Sequence, residues 1–193
     1  MALAQLETPR LILRALQNTD AVGLHAAYGN GEAMRFWNSP ASRDVAETAL
    51  RIRQSLAVDE SWHAAWAIVL RDGELAGMIN YHHREPWNRR LELGWILAPS
   101  YWRQGLMTEA AESVLRHCFT AMDTHRVEAL IEPENVASRA LAVKLGFLEE
   151  SGLLRDRLCV DGAFRSVLMY GLLDPDWARQ MSRDDGTTCR RVE

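Results

Sequence analysis

The chain has 193 residues, 48% of them hydrophobic and 25% charged, with a formal net charge of −4. That length favours one domain large enough to bury a real core, and the acidic balance gives no basis for a nucleic-acid partner. No apolar run approaches membrane-spanning length, and Met1–Glu7 lacks a basic segment followed by an apolar one, so neither a membrane partner nor a secretory signal is expected. Arginine supplies nearly all the positive charge, and Lys144 is the only lysine. Cys118, Cys159 and Cys189 are odd in number and widely spaced, which fits a reducing cytoplasm.

Residues 10–15 form the first expected strand, after Thr8-Pro9. A helix capped by Asn18 or Thr19 runs to about Tyr28 and ends at Gly29-Asn30-Gly31. A second begins at Ser42 and carries Val45, Leu50, Ile52 and Leu56 at amphipathic spacing. The period then changes. Residues 62–70 and 75–83 read as strands joined by the Asp72-Gly73 hairpin turn. Residues 85–90 form a second, longer hairpin loop, and 91–97 is the fourth strand. On it Leu91, Leu93, Trp95 and Leu97 share one face, and Glu92, Gly94 and Ile96 the other. Residues 105–122 form a helix, 126–131 the fifth strand and 138–145 a short helix closed by Gly146. A sixth strand lies within 147–158, and a seventh spans 164–172 after the Asp161-Gly162 turn. These elements assign one α/β domain over 1–173 with a mixed sheet. From Asp174 the chain reads as a polar tail with Trp177 its only anchor and its last ten or so residues mobile.

The run Tyr101-Trp-Arg-Gln-Gly-Leu-Met-Thr-Glu-Ala110 is the most informative. A helix start leaves N–H groups without partners and places partial positive charge there, and a phosphate satisfies both. Gly105 lets the backbone come close to an anion, and Arg103 adds a cation. An ordinary strand-to-helix turn has the same look. There is no Gly-Lys-Ser/Thr and no second and third glycine at dinucleotide spacing, so neither nucleotide motif fits.

Three segments together resemble a known family. Leu6-Glu-Thr-Pro-Arg-Leu-Ile-Leu-Arg14 resembles the start of the RimJ/RimL-type branch of the GNAT N-acetyltransferases. Leu93–Leu97 followed by Tyr101–Ala110 is similar to that superfamily's acetyl-CoA-binding strand, loop and helix, and Glu134–Ser138 with Ala142–Phe147 to its second cofactor segment. The resemblance spans residues 6–173. It implies a mostly antiparallel seven-stranded central sheet with about four helices, whose fourth and fifth strands splay apart. It implies acetyl-CoA as co-substrate, a primary amine as acceptor and no metal. The pyrophosphate would lie on backbone N–H groups of Arg103, Gln104, Gly105, Leu106, Met107 and Thr108. The pantetheine would pair along Trp95, Ile96 and Leu97, and Asn135 would bind its amides. The 139–144 stretch with Lys144 can meet the 3′-phosphate or, equally, be a solvated helix face. Two departures stand out. The outer positions of the family's loop pattern are Trp102 and Met107 here. The position of a carboxylate used by RimL-type enzymes is Arg157, with Asp156 beside it, so no base carries over there.

Amine acetylation needs a neutral nucleophile and a proton for the departing thiolate. Glu92 is the candidate general base, through a water; a salt bridge to Arg90 is its plainer role. Ser138 is the candidate proton donor to sulfur. Asn135 and Ser138 can equally be helix caps, and Gly94 marks either a bulge or simple packing. Trp37 and Trp87 sit in loops that, by resemblance, frame the acceptor mouth, where an aromatic wall can hold a cation; packing serves as well. His82 and His83 are adjacent, so strand alternation puts them on opposite faces; one can border the acceptor cleft, but both cannot line one site. Without further ligands at suitable spacing, metal binding is not expected. No cysteine stands at a nucleophile position, which points to direct attack in a ternary complex. A protein N-terminal amine is the first choice of acceptor; an amino acid, a polyamine and an aminoglycoside stay open, as do a cofactor-sensing module without turnover and a protein-interaction domain. A monomer and a homodimer are equally compatible.

Overall fold

The computed structural model describes residues 3–187, with side chains to 182. The first two strands are β1 (Leu6–Glu7) and β2 (Leu11–Ala15). Helix α1 (Ala21–Tyr28) follows a short 3-10 turn, and α2 (Val45–Leu56) starts at Asp44, whose side chain accepts the N–H of Glu47 at 2.8 Å. That N-cap sits two residues beyond Ser42, which is buried instead.

Next come β3 (Ala64–Leu70), β4 (Leu75–Glu85) and β5 (Arg90–Leu97). β3 starts later than the apolar run suggests, because the N–H groups of Trp62 and His63 both return to Asp59 O and close a turn. Helix α3 (Leu106–Ala121) leads to β6 (Arg126–Ile131), and α4 (Val136–Lys144) follows. The expected sixth strand is two pieces, β7 (Leu148–Glu149) and β8 (Leu154–Val160), separated around Ser151-Gly152. β9 (Ala163–Leu173) runs straight into helix α5 (Asp174–Thr187).

That last helix corrects the polar-tail reading. Asp174 and Asp176 occupy its first turn, where the macrodipole favours carboxylates. Trp177 is only 4% exposed and meets Phe119 with ring centroids 6.1 Å apart. Met181, four residues on, packs against the same core. The mobility expected of the final ten or so residues falls largely outside the described residues.

The sheet order is β1-β2-β3-β4-β5-β6-β9-β7, with β8 paired to β9. Among the described residues it has nine strands rather than seven and five α-helices rather than four; the additions are the two-residue β1 and β7, and α5. Its neighbours are antiparallel except β5 and β6, which run parallel because α3 carries the chain back across the sheet. Leu91, Leu93 and Leu97 of β5 join the core under α3, α4 and α5. Ile96, with Met78 of β4, joins the core under α1 and α2 on the opposite face. Glu92 and Gly94 therefore point to the α1–α2 side, as do Asn80 and His82 across the ladder.

Candidate active site

The fourth and fifth strands of the sequence reading are β5 and β6, and their pairing stops early. Registered pairs are Arg90↔Arg126, Leu91↔Val127 and Glu92↔Glu128. Beyond them β5 stays zipped to β4 and β6 to β9. Among the described residues no ladder joins 93–97 to 129–131, so the two facing edges part. The closed end is held by charge. Arg90 Nη1 donates to Glu128 Oε2 at 2.8 Å, and Arg126 Nε donates to Glu128 Oε1 at 2.6 Å. Glu128 is 8% exposed, and the two guanidinium partners offset the cost of burying its carboxyl group. Arg90 also grips Glu85, and Arg126 grips Glu150.

Trp95 and Ser138 meet at the open end. The indole N–H of Trp95 donates to Ser138 Oγ at 3.2 Å. Ser138 is the third residue of α4, so it is not the cap; Asn135 is, with Oδ1 accepting the Ser138 N–H at 3.1 Å. The capping role weighed for Asn135 is thus present, and its Nδ2 is left to serve another partner. Ile96 and Leu97 are buried, so only their main-chain edge can serve a ligand.

The loop after β5 has the geometry of an anion seat. Arg103 (φ 60°) and Gly105 (φ 74°) both lie in the left-handed region and flank Gln104. Such alternation turns consecutive N–H groups toward one point. Glu109 is the first residue of α3 to return its N–H to a carbonyl, that of Gly105, at 3.1 Å. The amides before it are left for a ligand. Leu106 and Met107 are buried in the core, so they offer main chain rather than side chain to an anion, and Met107 does not crowd the seat; Thr108 is half-buried. Trp102, the other departure, donates its indole N–H to Leu97 O at 2.9 Å. Lys144 is exposed in the last turn of α4.

Sequence reasoning missed what braces this loop. Arg10 donates to Gln104 O at 2.9 Å and to Glu109 Oε2 at 2.6 Å, and Thr8 donates to Glu109 Oε1 at 2.6 Å. Burial pushes the Glu109 carboxyl up, but hydrogen bonds from Thr8 and Arg10 outweigh it and hold it below the usual range. The Thr8-Pro9-Arg10 signature was therefore a legible signal whose physical role only the fold reveals.

A second cluster of candidate residues lies on the α1–α2 face. Glu92 Oε1 is 3.0 Å from His82 Nε2, and Oε2 is 3.3 Å from His83 Nδ1. This corrects the expectation that adjacent histidines cannot share a site. The β4–β5 register shifts between His82 and Glu85, and His83 takes a left-handed φ of 50°. The bulge rolls its ring onto the same carboxylate. The salt bridge weighed between Glu92 and Arg90 is absent; Arg90 is engaged by Glu85 and Glu128. Burial raises the Glu92 carboxyl, yet His82 and then His83 outweigh it, and the net direction is downward.

Gly94 lies next to Glu92 on that face. A Cβ there would sit 2.7 Å from Asn80 Oδ1, 3.6 Å from His82 and 3.6 Å from the Trp37 ring. These groups converge over one glycine. Asn80 is 6% exposed and its Oδ1 has no hydrogen-bond partner, a signal the sequence did not flag. Arg165 ties the Trp37 loop down by donating to the carbonyls of Arg35 and Trp37 and to Glu132. Trp87 lies apart, 79% exposed on the β4–β5 hairpin. Asp156 and Arg157 are exposed on β8. Cys118 is fully buried and burial pushes its thiol up to about 12; Cys159 is exposed on β8. Among the described residues no helix is long and apolar enough to cross a membrane.

Comparison with known proteins fits this arrangement. Residues 10–148 match the acetyltransferase (GNAT) domain family. The chain is 32% identical over 173 residues to the uncharacterized N-acetyltransferase YoaA of Bacillus subtilis (strain 168), covering 88% of this chain and 97% of that one. It is 23% identical over 124 residues to the ribosomal-protein-serine acetyltransferase of Escherichia coli (strain K12), covering 64% and 69%. The fold matches spermidine N-acetyltransferase from Vibrio cholerae, in complex with CoA and spermine, with a TM-score of 0.76 at 20% identity over 89% and 99% of the two chains. A family match across most of the chain makes this protein a member of the GNAT acetyltransferases, enzymes that depend on acetyl-CoA.

Proposed function

We propose that this chain acetylates the N-terminal amine of a protein, with the acceptor reaching Glu92 from the α1–α2 face. Acetyl-CoA, when bound, supplies the acetyl group in thioester-activated form. The backbone amides of residues 103–108 suit its diphosphate, and the parted edges of β5 and β6 suit its extended arm. Glu92 takes the proton from the acceptor ammonium through a water. Ser138 Oγ accepts from Trp95, so its own O–H is free to give a proton at the open end of the gap. Asn80 Oδ1, buried and unpartnered beside Gly94, is an acceptor for the N–H groups of an incoming amine.

The observation that carries the reading is the doubly held Glu92 beside that orphan carbonyl. Two imidazoles keep the carboxyl low, which makes Glu92 a weak base. A weak base is enough for an α-amine, with a pKa near ~8, and poor for lysine, near ~10.4. The ribosomal-protein-serine acetyltransferase relative accords with a protein acceptor. A polyamine acceptor is the rival, favoured by the likeness to the spermidine enzyme.

The test is free-thiol release from acetyl-CoA with four acceptors: peptides with a free N-terminus and no lysine, N-blocked lysine peptides, spermidine and an aminoglycoside. Turnover greatest on the free N-terminus supports the proposal, and turnover confined to spermidine reassigns the acceptor. A chain that gains stability from acetyl-CoA, about 2.7 kcal/mol at a hundredfold excess over Kd, yet releases thiol with none of the four is a sensor.

A further inference from the structure

The convergence of His82, His83 and Glu92 has a use besides holding a base. One ligand atom from each lies within 4.8 Å of the others. We propose that these three residues form a Zn²⁺ site, and that the bound ion silences the transferase by taking its carboxylate.

The donor set is two imidazole nitrogens and one carboxylate oxygen, which suits Zn²⁺ and leaves a fourth position open. A tetrahedral zinc with bonds of about 2.0–2.1 Å separates its ligand atoms by roughly 3.4 Å. The separations here are 3.0 Å for His82 Nε2 to Glu92 Oε1 and 3.3 Å for His83 Nδ1 to Glu92 Oε2, each to a different oxygen of the carboxylate, and the three ligand atoms lie within 4.8 Å of one another. An ion would draw the three side chains together onto one carboxylate oxygen. His83 is 52% exposed at the side chain, so an ion has a path in. The left-handed backbone at His83 defeats strand alternation and places the second imidazole with the first.

Asn80 supplies the outer contact. Its Nδ2 is 3.4 Å from His82 Nδ1. With that nitrogen as acceptor, His82 carries its proton on Nε2 and donates it to Glu92. To ligate a metal, Nε2 must be bare and the proton must sit on Nδ1. Rotating the Asn80 amide by half a turn brings Oδ1 to that nitrogen, where it accepts the Nδ1–H. The oxygen that now has no partner would gain one. The amide thus matches either tautomer of His82.

Binding is independent of the proposed function; silencing rests on it. The binding test is calorimetry of ZnCl₂ into the tag-free, chelator-stripped full chain. The expected result is one ion per chain, with affinity at least tenfold weaker in His83→Ala and in His82→Ala and unchanged in His25→Ala, each variant being checked for its fold by circular dichroism. No stoichiometric zinc in the wild type, or unchanged affinity in folded His83→Ala, overturns the site. The second test is thiol release during a zinc titration. Inhibition should reverse with chelator, and the half-inhibiting concentration should rise at least tenfold in His83→Ala, whatever that variant's basal rate. Zinc that binds at this site without slowing turnover overturns the silencing. If no amine supports turnover while zinc still binds, the acetyl-transfer reading has failed and the metal site stands.

Discussion

The two ends of the β5–β6 junction are built from the same strands and do opposite things. At one end Glu128 sits buried between Arg90 and Arg126, and three residue pairs hold the strands in parallel register. At the other the strands keep their outer partners and release each other, and the Trp95–Ser138 hydrogen bond joins β5 to α4. The difference teaches that one strand pair can be clamped by buried charge at one end and parted at the other, with the ion pairs lying on the paired side of the boundary. Glu92 stands at that boundary, the last residue of β5 registered with β6.

The largest expected effect strikes the open end. Gly105→Glu puts a Cβ on a residue at φ 74° and a negative charge in the anion seat, and it should reduce CoA affinity more than a hundredfold in calorimetry while the chain stays folded. Glu92→Gln should lower thiol release by about 10²–10⁴-fold and leave CoA affinity within a factor of a few. Ser138→Ala should slow turnover by about tenfold with a smaller change in affinity; equal losses in both would make Ser138 a binding residue. At the closed end, Glu128→Gln weakens two charge-assisted bonds, yet Arg90 keeps Glu85 and Arg126 keeps Glu150. Urea unfolding should report a loss of about 1–3 kcal/mol; no loss would mean that the network does not set the boundary.

The last prediction is a pH slope. His63 accepts or donates at 2.7 Å from Ser55 Oγ, and burial, then the nearby His82, lower its pKa from 6.5 to about 4. A folded value below the unfolded one gives stability that is fully present above pH 6.5 and is lost as pH falls towards 4. His63→Asn should flatten that part of the urea-midpoint profile, and an unchanged slope would contradict the assignment.

Much of this architecture is legible from the chain alone, for physical reasons. The alternation on β5 sorts Leu91, Leu93 and Leu97 from Glu92, Gly94 and Ile96, because a strand has a period of two. Gly105 can be read as the residue that turns into α3. The rest depends on contacts distant in sequence. Arg10 and Glu109 are 99 residues apart, and nothing local couples them. The pairing of His82 with His83 is hidden because periodicity presumes a regular strand, and a bulge breaks it. Trp177 looks like a lone anchor in a polar tail because, among its described side chains, α5 shows the core little besides Trp177 and Met181.

The central claim is that the amides around Gly105 grip a diphosphate and the parted strands take the arm behind it. A crystal structure with CoA tests it most directly. The account predicts phosphate oxygens within hydrogen-bond distance of main-chain N–H groups in 103–108 and an extended ligand chain along 95–97. Strands joined through 93–97 and 129–131, or a ligand seated anywhere else, would contradict it.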